Sequence, residues 1–281
     1  MFEDSIKLNY QSWEAEILPS FGANVISLKN NGTELLRSPK NIDALKNSPY
    51  LYGIPLLFPP NRIEAGRFNF KGKIYHLDLN EPSRNNHIHG LMFNAPFSVK
   101  EAGPKHLECV YENNGERYPF EFRMTITCML NEDGFTQYVD IENISSDDIP
   151  VLFAFHTTFA EPETFSVPLK QRLEVNENYI PTGKMLELSE QEREYVYGCC
   201  PKGKNISGFF TAKGNTARIG NYFYHTSENF THWILFNGGG NKGFLCIEPQ
   251  SGPVNGLNIP DGYINLKKGS KVQFWTRISD K

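Results

Sequence analysis

Nothing in this chain reads as a membrane span, a disulfide framework or a nucleic-acid surface. No apolar run approaches the ~20 residues that cross a bilayer as a helix. The opening Met1-Phe2-Glu3-Asp4-Ser5 carries acids instead of a basic leader, so neither signal peptide nor anchor is expected and a cytoplasmic location follows. Cysteine is scarce and odd in number, at five. Cys109, Cys128 and Cys246 stand singly in apolar segments, as buried reduced thiols do. Cys199 and Cys200 are adjacent, which is not the spacing of a zinc site. Lys and Arg total 28 against 32 Asp and Glu, a net charge of -4, and no basic stripe is present. That excludes nucleic acid as the expected partner. Lys267, Lys268 and Lys271 are broken up by Gly269 and Ser270 and decorate a turn. Gly238-Gly239-Gly240 lacks the Lys-Ser/Thr of a phosphate loop and reads as a loose hairpin, and no cofactor is implied.

What is present is aromatic side chains, 13% of the residues, and alternation with a period of two. Phe120, Phe122, Met124, Ile126, Cys128 and Leu130 share one face, with Glu121, Arg123, Thr125 and Thr127 on the other. Asn131-Glu132-Asp133-Gly134 turns the chain, and Phe135, Gln137, Val139 and Ile141 alternate back, which predicts a long antiparallel hairpin. Further pairs are expected around Asn30-Asn31-Gly32, around Lys71-Gly72 and between Trp233–Phe236 and Gly243–Ile247, with Val272–Ile278 as a closing strand. Ser189-Glu190-Gln191-Glu192 predicts a capping box opening a short helix toward Tyr197, and Asn41–Lys46 a second helix. No composition shift marks a linker. The expectation is one all-β domain over residues 1–281, with large antiparallel sheets packed face to face.

Four polar groups interrupt apolar backbone. Arg62 follows Pro59-Pro60-Asn61, where prolines end a strand. His87 and His89 sit in Asn85-Asn86-His87-Ile88-His89-Gly90; in extended chain they share one face, the geometry of two metal ligands. No acid follows before Glu101, however, so the pair reads better as one structural histidine and one hydrogen-bond donor, with no metal expected. His156 ends the apolar run Val151–Phe155. Glu248 ends Phe244–Ile247 and is followed by Pro249, so strand pairing should lapse there and leave a half-desolvated carboxylate at the rim of a core. Such a position raises a carboxyl pKa and suits a general base. Together these groups supply a base, an acid and donors, but no activated nucleophile and no second catalytic carboxylate.

The order Asn61-Arg62-Ile63, Asn86-His87-Ile88-His89-Gly90, Phe155-His156, Ile247-Glu248-Pro249-Gln250 resembles the aldose 1-epimerase (galactose mutarotase) family, and Gly53-Ile54-Pro55-Leu56-Leu57-Phe58-Pro59 with the compact length looks like its divergent bacterial branches. Phe21–Leu28 with Gly32–Leu36 is similar to that family's opening hairpin, and Gly66-Arg67-Phe68 to the segment after its arginine. The resemblance implies a β-supersandwich with a sugar cleft and no cofactor. It implies Glu248 as the base that takes the C1 hydroxyl proton and His156 as the acid that protonates the ring oxygen. Arg62, His89 and Asn86 would bind the sugar. The partner is then a small sugar, a hexose or hexose phosphate, and the chain a monomer or weak homodimer.

The chain also departs from the family's best-known members. His156-Thr157-Thr158-Phe159-Ala160 replaces their histidine, aromatic pair and asparagine, and Gly198–Gly214 contains no aspartate to meet sugar hydroxyls. Galactose is therefore not singled out as the substrate. Arg62, Arg67 and Arg84 are candidates to receive a phosphate, and Phe58, Phe155, Phe159 and Trp233 are candidates to pack the core or stack on a sugar. The rival readings are a non-catalytic carbohydrate-binding domain and a metal-dependent β-sandwich enzyme using His87 and His89.

Overall fold

A computed structural model describes residues 2–280. The alternation at 120–141 becomes strands Glu121–Asn131 and Gly134–Asn143, paired in unbroken antiparallel register from Phe122↔Asn143 to Asn131↔Gly134. Phe122, Met124, Ile126, Cys128 and Leu130 are buried, as the pattern requires. This hairpin is the centre of an eight-stranded sheet running, edge to edge, through Ser98–Ala102, His106–Asn114, Glu121–Asn131, Gly134–Asn143, Lys271–Ser279, Tyr222–Thr226, Thr216–Ile219 and Phe165–Ser166.

A second eight-stranded sheet carries Pro181–Leu186, Leu169–Val175, Ser207–Ala212, His232–Phe236, Phe244–Gln250, Ala154–Phe155 and Leu56–Leu57, with Thr158–Ala160 also paired to Phe244–Gln250. The inner faces of the two sheets meet. Phe153 stacks on Phe274 with ring centroids 4.9 Å apart, and Phe159 meets Tyr224 edge-on at 5.3 Å. Trp233, Leu235, Leu245 and Ile247 join Ile126, Val139, Phe274 and Ile278 in one core cluster. Burying side chains of this size contributes about 1.5–3 kcal/mol each. Phe58, Phe155, Phe159 and Trp233 all belong to this core, at most 1% exposed, and none lines the cavity over the second sheet. A four-stranded sheet, Ile6–Tyr10, Trp13–Leu18, Asn24–Asn30 and Thr33–Glu34, precedes both, closed by a turn with Asn31 and Gly32 at φ +50° and +74°. Positive φ at both central residues is what a two-residue hairpin of type I′ requires.

The two predicted helices form at Ile42–Asn47 and Glu190–Tyr197. Ser189 accepts from the Glu192 amide while the Glu192 carboxylate accepts from the Ser189 amide, the reciprocal capping box. No helix among the described residues is long and apolar enough to cross a membrane.

One expected strand end is corrected. Phe244–Gln250 does not lapse at Glu248: Trp233 stands opposite Pro249 and His232 opposite Gln250. On the other side of this strand, the Ile247 amide donates to Thr157 O and the Ser251 amide to Phe153 O. By alternation, the donor that proline lacks would face the intervening stretch. There the neighbouring chain has left the ladder, and the His156 amide donates to Pro55 O instead. Proline is tolerated in this central strand because the strand beside it is interrupted at that point.

Candidate active site

The outer face of the second sheet is the floor of a cavity of ≈ 400 Å³. Register builds that floor. Ile234 lies opposite Glu248, Phe236 opposite Cys246, and Phe209 and Ser207 continue the rows on the next strand. Glu248 is not the half-desolvated rim residue expected: it is 3% exposed, in the interior of a strand whose seven residues are all buried.

His156 reaches Glu248 because its strand is broken. Ala154–Phe155 pairs with Leu56–Leu57, Thr158–Ala160 pairs with Phe244–Gln250, and His156 sits in the gap between. Its Nε2 lies 3.4 Å from Glu248 Oε1, too far for a good direct hydrogen bond. His156 Nδ1 has no partner among the described residues. Burial pushes the His156 imidazole down to about 4. Burial pushes the Glu248 carboxyl well up, only partly opposed by the charge of Arg62. Burial therefore disfavours charge on both groups.

His89 stands against this pair, its ring centroid 5.2 Å from that of His156 and 4.6 Å from that of Tyr50. It does not share a face with His87. The strand Asn86–Ile88 ends before it, and His89 takes φ +65°, in the left-handed region. That turn breaks the period of two, sending His89 into the cavity and leaving His87 buried with Nδ1 at 2.7 Å from Asp78 O. The two-ligand metal geometry therefore does not arise. The loop is held close: the His89 amide donates to Asn61 O, and Gly90 bridges Phe58. A Cβ at Gly90 would lie 2.1 Å from Phe58 O, so glycine is required there. Burial, then the nearby charges of His156, Arg62 and His87, hold the His89 imidazole well below its usual range.

The opposite wall is ionic. Arg62 Nε and Nη2 donate to the two oxygens of Glu81 at 2.8 and 2.9 Å, a bidentate pair. Arg84 reaches Glu81 Oε1 at 3.2 Å. Burial works upward on the Glu81 carboxyl, but the hydrogen bonds from Arg62 and Asn86 and the two guanidinium charges hold it below its usual range. Both guanidiniums lie over the Tyr179 ring, at 4.6 and 4.8 Å from its centroid, an arrangement that fixes cations on an aromatic face.

Arg62, His89, His156 and Glu248 thus line one cavity. Asn86 does not. It is 1% exposed and its amide donates to Glu81 Oε2 and Asn178 O, behind Arg62. Arg67 is likewise absent from the lining, which removes it from the phosphate candidates, whereas Arg84 is present. Sequence reading missed Tyr50, Tyr179 and Glu81. Tyr50 and Glu81 lie in short irregular segments without periodicity. Tyr179 follows Asn176-Glu177-Asn178, whose turn composition signals a loop but no site. Of the stretch Gly198–Gly214, Ser207, Gly208 and Phe209 face the cavity, giving a hydroxyl and an aromatic ring in the stretch that lacks the family's aspartate.

The fold and sequence have clear counterparts. A galactose mutarotase-like protein from Clostridium acetobutylicum is 26% identical, with a TM-score of 0.90, covering 98% of this chain and 94% of that one. Galactose 1-epimerase from Lactobacillus acidophilus NCFM is 17% identical with a TM-score of 0.80, covering 98% and 93%. A galactose mutarotase-like protein from Lactobacillus casei is 16% identical with a TM-score of 0.72, covering 98% and 99%. The latter two speak to the fold alone. The family model described as aldose 1-epimerase matches residues 5–279. With a match of that extent, the chain belongs to the aldose 1-epimerase family.

Proposed function

We propose that the protein interconverts the α and β anomers of a free hexose by ring opening and closure, with Glu248 as base and His156 as acid. The observation that carries this reading is the buried carboxyl–imidazole pair at 3.4 Å in the cavity wall. The two oxygens that exchange protons in ring opening sit on one carbon of the sugar, so their partners must lie within a few ångströms of each other.

Glu248 in its carboxylate form accepts the C1 hydroxyl proton as the C1–O1 bond gains carbonyl character. The bond from C1 to the ring oxygen breaks, and that oxygen takes the proton of His156. The C1 end rotates about the C1–C2 bond and the steps run in reverse from the other face. The ion-pair form (carboxylate and imidazolium) and the neutral form (carboxylic acid and imidazole) differ only by where one proton sits. After ring opening the pair is in the neutral form, which is the form that burial favours. Ring opening by these roles starts from the ion-pair form, which burial disfavours, and ends in the neutral form. A general base or acid in such a role contributes about 10²–10⁴-fold. His89 and Arg62 hold the sugar, Tyr50 and Tyr179 offer rings to its apolar face, and Asn86 positions Glu81 and hence Arg62.

A second reading, a hexose phosphate as substrate, is favoured by one observation: Arg62 and Arg84 share a single carboxylate, leaving a net positive charge at one wall. The test for both is relaxation of optical rotation with freshly dissolved glucose, galactose and their 6-phosphates. Acceleration that survives Glu248→Gln overturns the mechanism. Saturable sugar binding by calorimetry with no acceleration in the parent protein would mark a non-catalytic binding domain.

A further inference from the structure

The proton pair has a third neighbour that the proposed reaction does not use. Cys246 precedes Glu248 by two residues on the same strand, and its register partner Phe236 faces the cavity, so its side chain points to the floor. One ligand atom from each of His156, Cys246 and Glu248 lies within 4.8 Å of the others, and all three residues are buried. Among the described residues the thiol's hydrogen-bond contact is to Thr158 Oγ1 at 3.4 Å.

We propose that His156, Cys246 and Glu248 form a capture site for a thiophilic divalent cation, zinc fitting best, that occupies the place of the reacting sugar atoms and blocks turnover. The donor set is one nitrogen, one sulfur and one oxygen, the mixture zinc accepts. Zinc bonds of ~2.0–2.1 Å to nitrogen and oxygen at a tetrahedral angle set those two atoms about 3.3 Å apart. His156 Nε2 and Glu248 Oε1 are 3.4 Å apart, too long for a good hydrogen bond and close to the edge of that tetrahedron. The sulfur lies within 4.8 Å of both, so binding requires it to exchange its contact with Thr158 Oγ1 for the ion by turning about its Cα–Cβ bond. His156 and Glu248 both line the cavity, which gives the ion a way in and leaves its fourth position open to water. Binding breaks the S–H bond of Cys246 and the O–H bond of Glu248, and both protons leave to solvent. No electron changes hands.

The inhibition rests on the proposed function, but the binding does not, and the experiment separates them. The protein used is the full chain carrying Cys199→Ser and Cys200→Ser, which removes the accessible thiols, freed of metal by chelator. Cobalt(II) is added as a spectroscopic stand-in, and zinc is titrated in the optical-rotation assay. The expected result is a near-ultraviolet thiolate-to-cobalt band that disappears on adding Cys246→Ser or Cys246→Ala. Zinc should inhibit in competition with hexose. Loss of an outer partner alone costs about 10–100-fold in metal affinity, and loss of the thiolate should raise the inhibitory zinc concentration at least that much. Metal-free turnover of Cys246→Ser should stay within about twofold of the parent, since the thiol has no part in the reaction. No cobalt band, or a band that persists without Cys246, overturns the site. A band lost with Cys246 in a protein that turns over no sugar keeps the metal site and overturns the functional reading.

Discussion

The two eight-stranded sheets obey the same pairing rules and differ in one respect. The first has at its centre strands of nine to eleven residues in continuous register, from His106–Asn114 to Gly134–Asn143, with its short strand Phe165–Ser166 and a register shift at Val99–Glu101 kept to its edges. The second is broken: Leu56–Leu57, Ala154–Phe155 and Thr158–Ala160 are fragments of two or three residues around Phe244–Gln250. The buried proton pair comes from the broken sheet, Glu248 from its strand Phe244–Gln250 and His156 from the gap between Ala154–Phe155 and Thr158–Ala160. A continuous ladder satisfies its backbone and aims side chains strictly up and down. A gap lets a residue such as His156 leave that alternation, with its amide bonded to Pro55 O. One sheet is built to persist and the other to place atoms.

The sharpest way to break this contrast is at Glu248. Replacing it with glutamine should slow anomer interconversion by about 10²–10⁴-fold while leaving the urea midpoint close to the parent's. Burial already holds the carboxyl toward its neutral form, and an amide of the same shape replaces it. A large fall in stability would mean that the broken sheet depends on Glu248 as a structural ion.

The mirror-image test is Ile126→Ala in the continuous sheet. Ile126 is 1% exposed and lies in the inter-sheet core, so the loss should be about 2–5 kcal/mol by urea unfolding. Rate per folded molecule should not change. A matching loss of activity would show that the two sheets are not separable in this way.

Acid addresses the buried histidines. The His156 and His232 imidazoles are each pushed down to about 4 by burial, and those of His87 and His89 are lowered too. A base whose pKa falls on folding binds fewer protons folded than unfolded. The histidines' contribution to stability should therefore be full above about pH 6.5 and decline as pH falls toward 4, by up to about 3 kcal/mol for a fully shifted histidine, while the raised Glu248 carboxyl works in the opposite direction. Thermal melts across that range should show it, and His156→Gln should flatten the slope. An unchanged slope would assign the acid sensitivity to the other histidines.

The smallest effect is expected on the ionic wall. Glu81→Gln removes the carboxylate that Arg62 and Arg84 share and should raise KM about tenfold, with kcat less affected, because in the proposed reaction these groups bind without exchanging protons. An equal fall in kcat would move Arg62 into the transition state.

The same contrast separates what is legible in the sequence from what is not. Phe122 to Ile141 announce their hairpin because period-two burial is written into residue types, and Ser189 to Glu192 announce their helix because capping is local chemistry. Arg62, His156 and Glu248 are recognisable as polar interruptions of apolar runs. Legibility fails where backbone leaves its period. Extended geometry would set His89 beside His87, but residue 89 adopts positive φ and the face changes. Pro249 reads as a strand end because the gap that accommodates it belongs to a segment far earlier in the chain. Tyr50, Tyr179 and Glu81 carry no local mark. Their position is set by tertiary contacts alone.

His89 carries a further consequence. Left-handed backbone is comfortable for glycine or asparagine and costly for most other residues, yet here it turns an imidazole onto a proton pair. Selection for heat resistance and selection for turnover should pull this codon in opposite directions. A library enriched only for thermal survival should drift to His89→Gly or His89→Asn, and one enriched for mutarotation should return histidine. Position 89 is therefore where a thermally stabilised variant of this protein should first be checked for lost activity.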